Sequence, residues 1–230
     1  MTVNGVSAVG RPPEIGRAGV GITVRRVGSG EHARTVAGSA TRELGRSPWP
    51  DGLLSWSVFT STDVQSAMVY EQWRGDSSLD AAVDAALAGA AAAPHVPGIP
   101  GTERSTPVRH RLYRSHADTA PGEPAVPGCI AIPVFETAGP ERQRHFVEEL
   151  FALTEDSEHG PAGLISVHLH LTDDGTRVVN YAEWTGEQAP VEVVGAQEGD
   201  HIRRRISGGI PGVRSAGYRR WQLDTSLVTA

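Results

Sequence analysis

One segment, residues 177–189, carries the side chains best suited to chemistry. Its sequence is RVVNYAEWTGEQA, and side chains alternate between the two faces of a strand. Asn180 and Trp184 therefore share one face. An amide and an indole N–H both form hydrogen bonds, and an indole also stacks on flat rings. We interpret the pair as binding one flat ligand; the simpler alternative is a satisfied buried amide beside a core indole.

A second polar set lies on the preceding predicted strand, in the segment SVHLHL. Ser166, His168 and His170 share a face by the same alternation. An imidazole titrates near neutrality and could accept a proton from a substrate. Two histidines could also begin a metal site, but the sequence fixes no third ligand, and polar lining of a cavity is the simplest reading. We predict that the three residues line the substrate site and that no metal is bound.

These segments belong to a module that occurs twice in the chain. GLLS at 52–55 recurs as GLIS at 163–166, and GIPG at 98–101 recurs at 209–212. In both cases the second copy follows the first by 111 positions, since 163 − 52 = 111 and 209 − 98 = 111. Tyr70 then matches Tyr181, and Trp73 matches Trp184, without a gap. A module of about a hundred residues has the size of a small domain. We therefore predict an N-terminal tail (1–17), module 1 (18–116), a Pro- and Gly-rich linker (117–127), module 2 (128–224) and a C-terminal tail (225–230).

Each copy predicts the order strand, helix, strand, strand, helix, strand. In the second copy the β-branched segment CIAIPVFE precedes PERQRHFVEELFAL, whose apolar residues follow helical spacing. This order is that of the ferredoxin-like module βαββαβ, an antiparallel sheet with two helices on one face. The bare face of such a sheet needs a cover. We predict an α+β fold of two tandem ferredoxin-like modules packed sheet to sheet.

Composition narrows the class of protein. Of the 230 residues, 39% are hydrophobic and 21% charged, and the net charge of −6 argues against a nucleic-acid partner. The single cysteine allows no intrachain disulfide and no thiolate metal cage. No apolar run is long enough for a signal peptide or a membrane span. We expect a cytoplasmic protein that binds neither nucleic acid nor membrane.

Together these residues resemble the antibiotic biosynthesis monooxygenase family of the dimeric α+β barrel superfamily. GLISVHLHLTDDGTRVVNYAEWTGEQA, residues 163–189, is similar to the family's central hairpin, and the resemblance covers both copies. It implies an intramolecular version of the dimeric barrel, with Asn180, Trp184 and Arg204 as catalytic residues around the substrate. Helical periodicity places Arg203 or Arg205 closer to the buried side, so both remain alternatives to Arg204.

The first copy lacks most of this set. Two of the three residues differ, since Val69 stands for Asn180 and Ala93 for Arg204. On the same strand, Glu71 stands for Ala182. Trp73 is retained, and we predict that it contacts the substrate. We expect the active site in module 2, with a degenerate site in module 1.

The resemblance is strongest to oxygenases that convert anthrone-type aromatic polyketides into quinones. It implies a monooxygenase that oxidises a polycyclic phenol or anthrone with O2 through a substrate anion, without a metal or tightly bound cofactor. One alternative is a ring-cleaving oxygenase of angucycline-type polyketides, with FADH2 or FMNH2 as a diffusible reductant supplied by a flavin reductase. Another is a non-catalytic binding protein for a planar aromatic ligand. Assembly into a homodimer is left open.

Overall fold

A computed structural model describes residues 2–3, 6–9, 19–26, 35, 38, 49–88, 108–117, 125–155, 161–195 and 210–229. These residues form an α+β fold that divides into two compact units, unit 1 (Met1–Arg111 with Trp221–Ala230) and unit 2 (Leu112–Arg220). The described strands are β1 (Thr2–Val3), β2 (Val6–Val9), β3 (Gly19–Arg26), β4 (Leu53–Ser61), β5 (Ser66–Trp73), β6 (Val108–Ala117), β7 (Cys129–Thr137), β8 (Leu164–Leu171), β9 (Arg177–Trp184) and β10 (Val213–Thr229). The described helices are α1 (Asp76–Leu87), α2 (Pro140–Glu155) and α3 (Ala189–Gly195).

Unit 1 is built on the antiparallel hairpin of β4 and β5. β3 pairs antiparallel with β5, β6 pairs with β3, and β10 pairs with β4 and then with β2. Asp76 opens α1 with an acidic side chain, which suits the positive end of the helix dipole. Leu79 of α1 is buried against Trp56, Val69 and Trp73 of the sheet. One face of this sheet therefore lies under the helix.

Unit 2 has the predicted order of elements for the second copy, β7, α2, β8, β9, α3 and β10. β9 pairs antiparallel with both β7 and β8. Phe146, Val147 and Phe151 of α2 are buried against Phe135, Leu169 and Val178 of the strands. The helical spacing seen in the sequence thus gives α2 an apolar stripe that covers one face of the sheet.

The segments predicted as tails contain strands. β1 and β2 lie within residues 1–17, and β10 continues to Thr229. Leu227 is buried in the core of unit 1, and the Ser226 hydroxyl lies 2.8 Å from that of Ser57. Pairing with β4 and β2 satisfies the backbone of these residues, which is why a tail without local signals is ordered as a strand.

The units do not divide at the predicted linker (117–127). Their boundaries fall inside β6 and inside β10, so each of these strands contributes residues to both units. Residues 118–124 of that linker lie outside the described part of the chain. Within residues 31–45, predicted as the first helix of copy one, Thr35 and Gly38 are described and are helical, and the other residues are not described. The sheet-to-sheet packing of two complete modules stays a prediction.

Helix α3 (Ala189–Gly195) was not predicted from the sequence. The polar segment at 195–207, which the sequence predicts as the second helix of copy two, lies outside the described residues except for Gly195, so that helix stays a prediction. Pro190 occupies its first turn, where the missing N–H of proline costs no hydrogen bond. Val191 and Glu192 donate their backbone N–H groups to the Gln188 carbonyl oxygen, both at 2.9 Å. None of the described helices is both long and apolar enough to cross a membrane.

Candidate functional site

The face of β9 that carries Asn180 and Trp184 lies beneath the helices of unit 2. Val178 is buried with Phe146 and Val147 of α2. At the other end of the strand, Trp184 packs with Ala189 and Val193 of α3. We call this surface the helix face of unit 2, defined by Val178, Asn180, Ala182 and Trp184.

Two polar atoms on this helix face are buried without hydrogen-bond partners. They are Oδ1 of Asn180 and Nε1 of Trp184, and neither has a partner among the described residues. Leaving a buried acceptor or donor unpaired costs about 1–3 kcal/mol. A ligand with a hydroxyl facing Asn180 and a carbonyl or oxyanion facing Trp184 would satisfy both atoms.

The remaining side chains around these two atoms are largely apolar. Leu169 lies opposite Asn180 on β8, and Cys129 lies opposite Trp184 on β7. Ala131 and Ala182 are buried between them and leave little side-chain bulk above the sheet. Small apolar walls with a few polar atoms are typical of a site for a flat, mostly apolar molecule.

The opposite face of β8 and β9 carries a chain of four polar side chains. Ser166 donates its hydroxyl to Oε2 of Glu183 at 2.7 Å. Nε2 of His168 lies 3.0 Å from the Ser166 oxygen, and Nδ1 of His168 lies 2.9 Å from the hydroxyl of Ser115 on β6. Because the Ser166 proton points to Glu183, its oxygen accepts from Nε2–H, and Nδ1 then accepts from Ser115.

Burial sets the charge state of this chain. His168 is 8% exposed, and burial lowers its pKa to about 4, so the imidazole is neutral at neutral pH. Burial also raises the pKa of Glu183, against the opposing effect of the Ser166 hydrogen bond. A neutral imidazole that accepts at one nitrogen and donates at the other can pass a proton along such a chain.

The two sets of candidate residues lie on opposite faces of one sheet. The register pairs Leu169 with Asn180 and His168 with Tyr181, and directly paired residues point to the same side. Ser166 and His170 lie on the His168 side. A single substrate site in this module would need all five residues on one face of the sheet. Ser166, His168 and His170 instead lie on the face opposite to Asn180 and Trp184.

The other predicted site residues have different outcomes. Trp73 lies in unit 1, where its indole N–H donates to Oε2 of Glu71 at 3.3 Å. Arg204 and its alternatives Arg203 and Arg205 lie outside the described residues, so their place near the substrate stays a prediction. In the described part of the chain, no three His, Cys, Asp or Glu side chains are grouped closely enough to hold a metal ion.

Several polar residues were missed from the sequence. Glu183 and Ser115 join His168 only through the register of β8 with β9 and through β6 of the other copy, neither of which a local pattern shows. Glu71 could have been identified from the sequence, because strand alternation places it on the same face as Trp73. It was named only as a difference from Ala182 of the second copy.

The comparisons agree with the resemblance seen in the hairpin. The chain is 44% identical over 48 residues to tetracenomycin-F1 monooxygenase of Streptomyces glaucescens, a match that covers 21% of this chain and 43% of that protein. The fold is similar to that of an anthrone oxidase-like protein, with a TM-score of 0.69, 13% identity, and 96% and 95% of the two chains covered. A candidate monooxygenase from Fusobacterium nucleatum gives a TM-score of 0.53 at 11% identity, with 92% and 94% covered. No family model matches the chain.

The chain thus spans less than half the length of the curated relative that it matches. Its similarity to a named monooxygenase confirms the resemblance to antibiotic biosynthesis monooxygenases, and the matches at low identity confirm the α+β fold.

Proposed function

We propose that the chain is a monooxygenase of aromatic polyketide biosynthesis that oxidises a polycyclic phenol or anthrone with O2. The substrate would lie against the helix face of unit 2. The observation that carries the proposal is the pair of buried, unpaired atoms there, Asn180 Oδ1 and Trp184 Nε1. The similarity to tetracenomycin-F1 monooxygenase supports the reaction class.

Each of the two side chains has a distinct role in this proposal. The Trp184 N–H donates to the substrate oxygen on which negative charge develops, which stabilises the anion in a site shielded from water. Its ring also presents a flat surface to the aromatic substrate. Asn180 accepts a hydrogen bond from a neighbouring substrate hydroxyl and fixes the orientation of the rings. Arg204, which the resemblance places near the substrate, would add a positive charge.

The substrate itself supplies the electrons in this reaction. Loss of a proton from the CH2 group of an anthrone gives an electron-rich enolate, which reduces O2. One oxygen atom becomes the new carbonyl of the quinone and the other leaves as water together with the two hydrogens of the CH2 group. We propose that this proceeds without a metal or a tightly bound cofactor, and that reduced flavin, if used, is a diffusible reductant in a ring-cleaving variant of the reaction.

Oxygen uptake by the purified protein with 1,8-dihydroxyanthrone tests the proposal, with the product identified by mass. We expect uptake without flavin, and a loss of at least about tenfold in Asn180→Val and in Trp184→Phe, since each removes one polar contact to the anion. The valine is the residue that the first copy carries at this position, Val69. Trp221→Phe is the matched control, because its Nε1 is also buried and unpaired but belongs to unit 1.

Three results would change the assignment. Uptake that requires reduced flavin, with a ring-opened product, would favour the ring-cleaving alternative. Tight binding of the anthrone with no uptake in either condition would favour a binding protein. Equal loss in Trp221→Phe and Trp184→Phe would remove the argument from the helix face of unit 2.

A further inference from the structure

The helix face of unit 1 carries a different set of polar groups from that of unit 2. Glu71 on β5 is paired with Trp56 on β4 and with Gly21 on β3, so the side chains of Trp56 and Glu71 point to the same side. Trp56 and Trp73 belong to the core cluster that includes Leu79 of α1. A carboxyl group and two indoles therefore lie together beneath α1.

The backbone leaves room for the carboxyl group. Glu71 is 4% exposed, and a Cβ atom built on Gly21 would lie 3.0 Å from its Oε2 and 3.3 Å from Leu79. A larger residue at position 21 would crowd the carboxylate. The lack of a side chain on Gly21 thus leaves the space that the Glu71 carboxylate occupies.

Glu71 has little to offset its charge. Its one hydrogen bond in the described structure comes from Trp73 Nε1, at the long distance of 3.3 Å. The acidic residues of α1 that carry ion pairs, Asp80 and Asp76, are bonded to Arg109 and Arg111 at 2.7 and 3.2 Å, and Asp84 is exposed. None of these arginines contributes to the charge state of Glu71, which depends on burial and on Trp73.

A second atom on this face is buried and has no partner. Nε1 of Trp56 makes no hydrogen bond to any described residue. The helix face of unit 1 therefore presents an unused donor, Trp56 N–H, beside an acceptor, Glu71. In unit 2 the corresponding residues are Val167 and Ala182, paired in the same register, so this donor and acceptor are particular to unit 1.

We propose that the helix face of unit 1 is a second binding site, which takes a neutral planar phenol or enol and accepts its proton on Glu71. The O–H bond of the ligand breaks, its electron pair stays on the ligand oxygen, and the proton forms a new O–H bond on the Glu71 carboxylate. The resulting oxyanion accepts the N–H of Trp56. This inference assigns chemistry to the copy predicted to be degenerate, and it does not depend on the oxygenation proposed for unit 2.

The surroundings select this class of ligand. The core cluster that contains both indoles also contains the apolar residues Leu53, Val69 and Leu79, and such apolar surroundings exclude a strongly hydrated anion. Burial raises the pKa of Glu71 to about 7, so the group exchanges protons near neutral pH, as a general base must. A planar ammonium ion would also suit a lone carboxylate, but it would leave the Trp56 N–H without an acceptor.

The probe for the test is 1,2-dihydroxyanthraquinone, a planar phenol whose colour changes on ionisation and which is already a quinone. In the full-length protein, and equally in Asn180→Val, we expect the bound probe to show the phenolate absorption band at a pH where the free probe is neutral. Glu71→Gln, made in the Asn180→Val background to weaken binding in unit 2, keeps the shape and an acceptor for Trp73 but cannot take a proton, so the bound probe should show the phenol spectrum. Trp56→Phe should weaken binding about tenfold, as expected for one hydrogen bond.

Glu71→Ala, which introduces the residue that the second copy carries, is a second variant that tests the same group in case Glu71→Gln does not fold. It should also abolish the phenolate band while its circular dichroism matches that of the parent protein. A phenolate band unchanged in both Glu71 variants would overturn the inference. So would binding of 9-aminoacridine, a planar cation, in place of the phenol.

The outcome is separable from that of the proposed function. A probe signal lost in Asn180→Val but not in Glu71→Gln would place the ligand in unit 2 and refute the second site alone. A Glu71-dependent signal in a protein that consumes no oxygen with the anthrone would refute the monooxygenase alone.

Discussion

At the scale of single residues, Glu71 combines near-complete burial with an ionisable group. Burial raises its pKa from 4.5 to about 7, so the folded state holds this proton more tightly than the unfolded state. The linked stability is fully present below the unfolded pKa of 4.5 and is lost as the pH rises through 7. The shift corresponds to about 3 kcal/mol.

We therefore predict that Glu71→Gln abolishes this loss of stability. In urea unfolding at pH 5 and pH 8, the stability of the variant relative to that of the parent protein should rise by about 2–3 kcal/mol at the higher pH. The opposite effect of the buried His168 is common to both proteins and cancels in this comparison. Glu192→Gln, at an exposed position on α3, is the matched control and should unfold like the parent protein. An identical pH dependence in Glu71→Gln and the parent would show that Glu71 is not held in an apolar site.

His168 predicts the opposite pH dependence. Its pKa is lowered from 6.5 to about 4 by burial, so the unfolded state takes up a proton more readily than the folded state. The linked stability is present above 6.5 and is lost as the pH falls toward 4, by up to about 3 kcal/mol.

His168→Ser tests this with the residue that the first copy carries, Ser57. The variant should lose less stability than the parent between pH 7 and pH 4.5 in urea unfolding. His116→Ser, at an exposed position on β6, should keep the acid sensitivity of the parent. Equal acid sensitivity of all three proteins would contradict the neutral, buried imidazole.

At the scale of elements, the two hairpins use the same turn with different residues at one position. In unit 2, Asp174 accepts hydrogen bonds from the Thr172 hydroxyl and the Thr176 N–H at 2.7 and 3.0 Å. Asp63 accepts a similar bond from Gln65 N–H in unit 1. The left-handed position is Gly175 in one turn, with φ 70°, and Val64 in the other, with φ 54°.

This difference predicts opposite effects of exchanging the two residues. Val64→Gly should stabilise the protein by up to about 1 kcal/mol, because a β-branched residue is strained at positive φ. Gly175→Ala should destabilise it by at least about 2 kcal/mol, since the new Cβ would lie 2.3 Å from the Pro140 nitrogen at the start of α2. Urea unfolding measures both, and a destabilised Val64→Gly variant would contradict the strain.

The same scale shows what the sequence could predict. Alternation placed Asn180 and Trp184 on one face because strand geometry is local, and helical spacing found α2 for the same reason. Strand alternation could not show on which face His168 lies relative to Asn180, because that depends on which residues of β8 and β9 pair across the turn. The start of α3 at Ala189 was not predicted, although Pro190 suits a first helical turn.

At the scale of the whole molecule, the two copies carry a buried carboxyl group on different faces. Unit 1 has Glu71 on its helix face, and on the opposite face Gln72 donates to Ser55 at 3.1 Å. Unit 2 has a neutral pair on its helix face and carries Glu183 and His168 on the opposite face. The second site that we propose in unit 1 accounts for this difference between the copies, whereas the degenerate site in module 1 stays a prediction.

Strand β10 includes residues 225–229, which the sequence predicted as part of a C-terminal tail. Leu227 is buried in the core cluster of unit 1 with Trp56 and Val58, although β10 begins in unit 2. Leu227→Ala should cost about 2–3 kcal/mol in urea unfolding, the cost of a cavity in a core. It should also speed amide hydrogen exchange in β4, the strand with which this part of β10 pairs. Thr229→Ala, exposed two residues further on, should change stability by less than about 0.5 kcal/mol, and a similarly small effect of Leu227→Ala would mean that these residues are a tail after all.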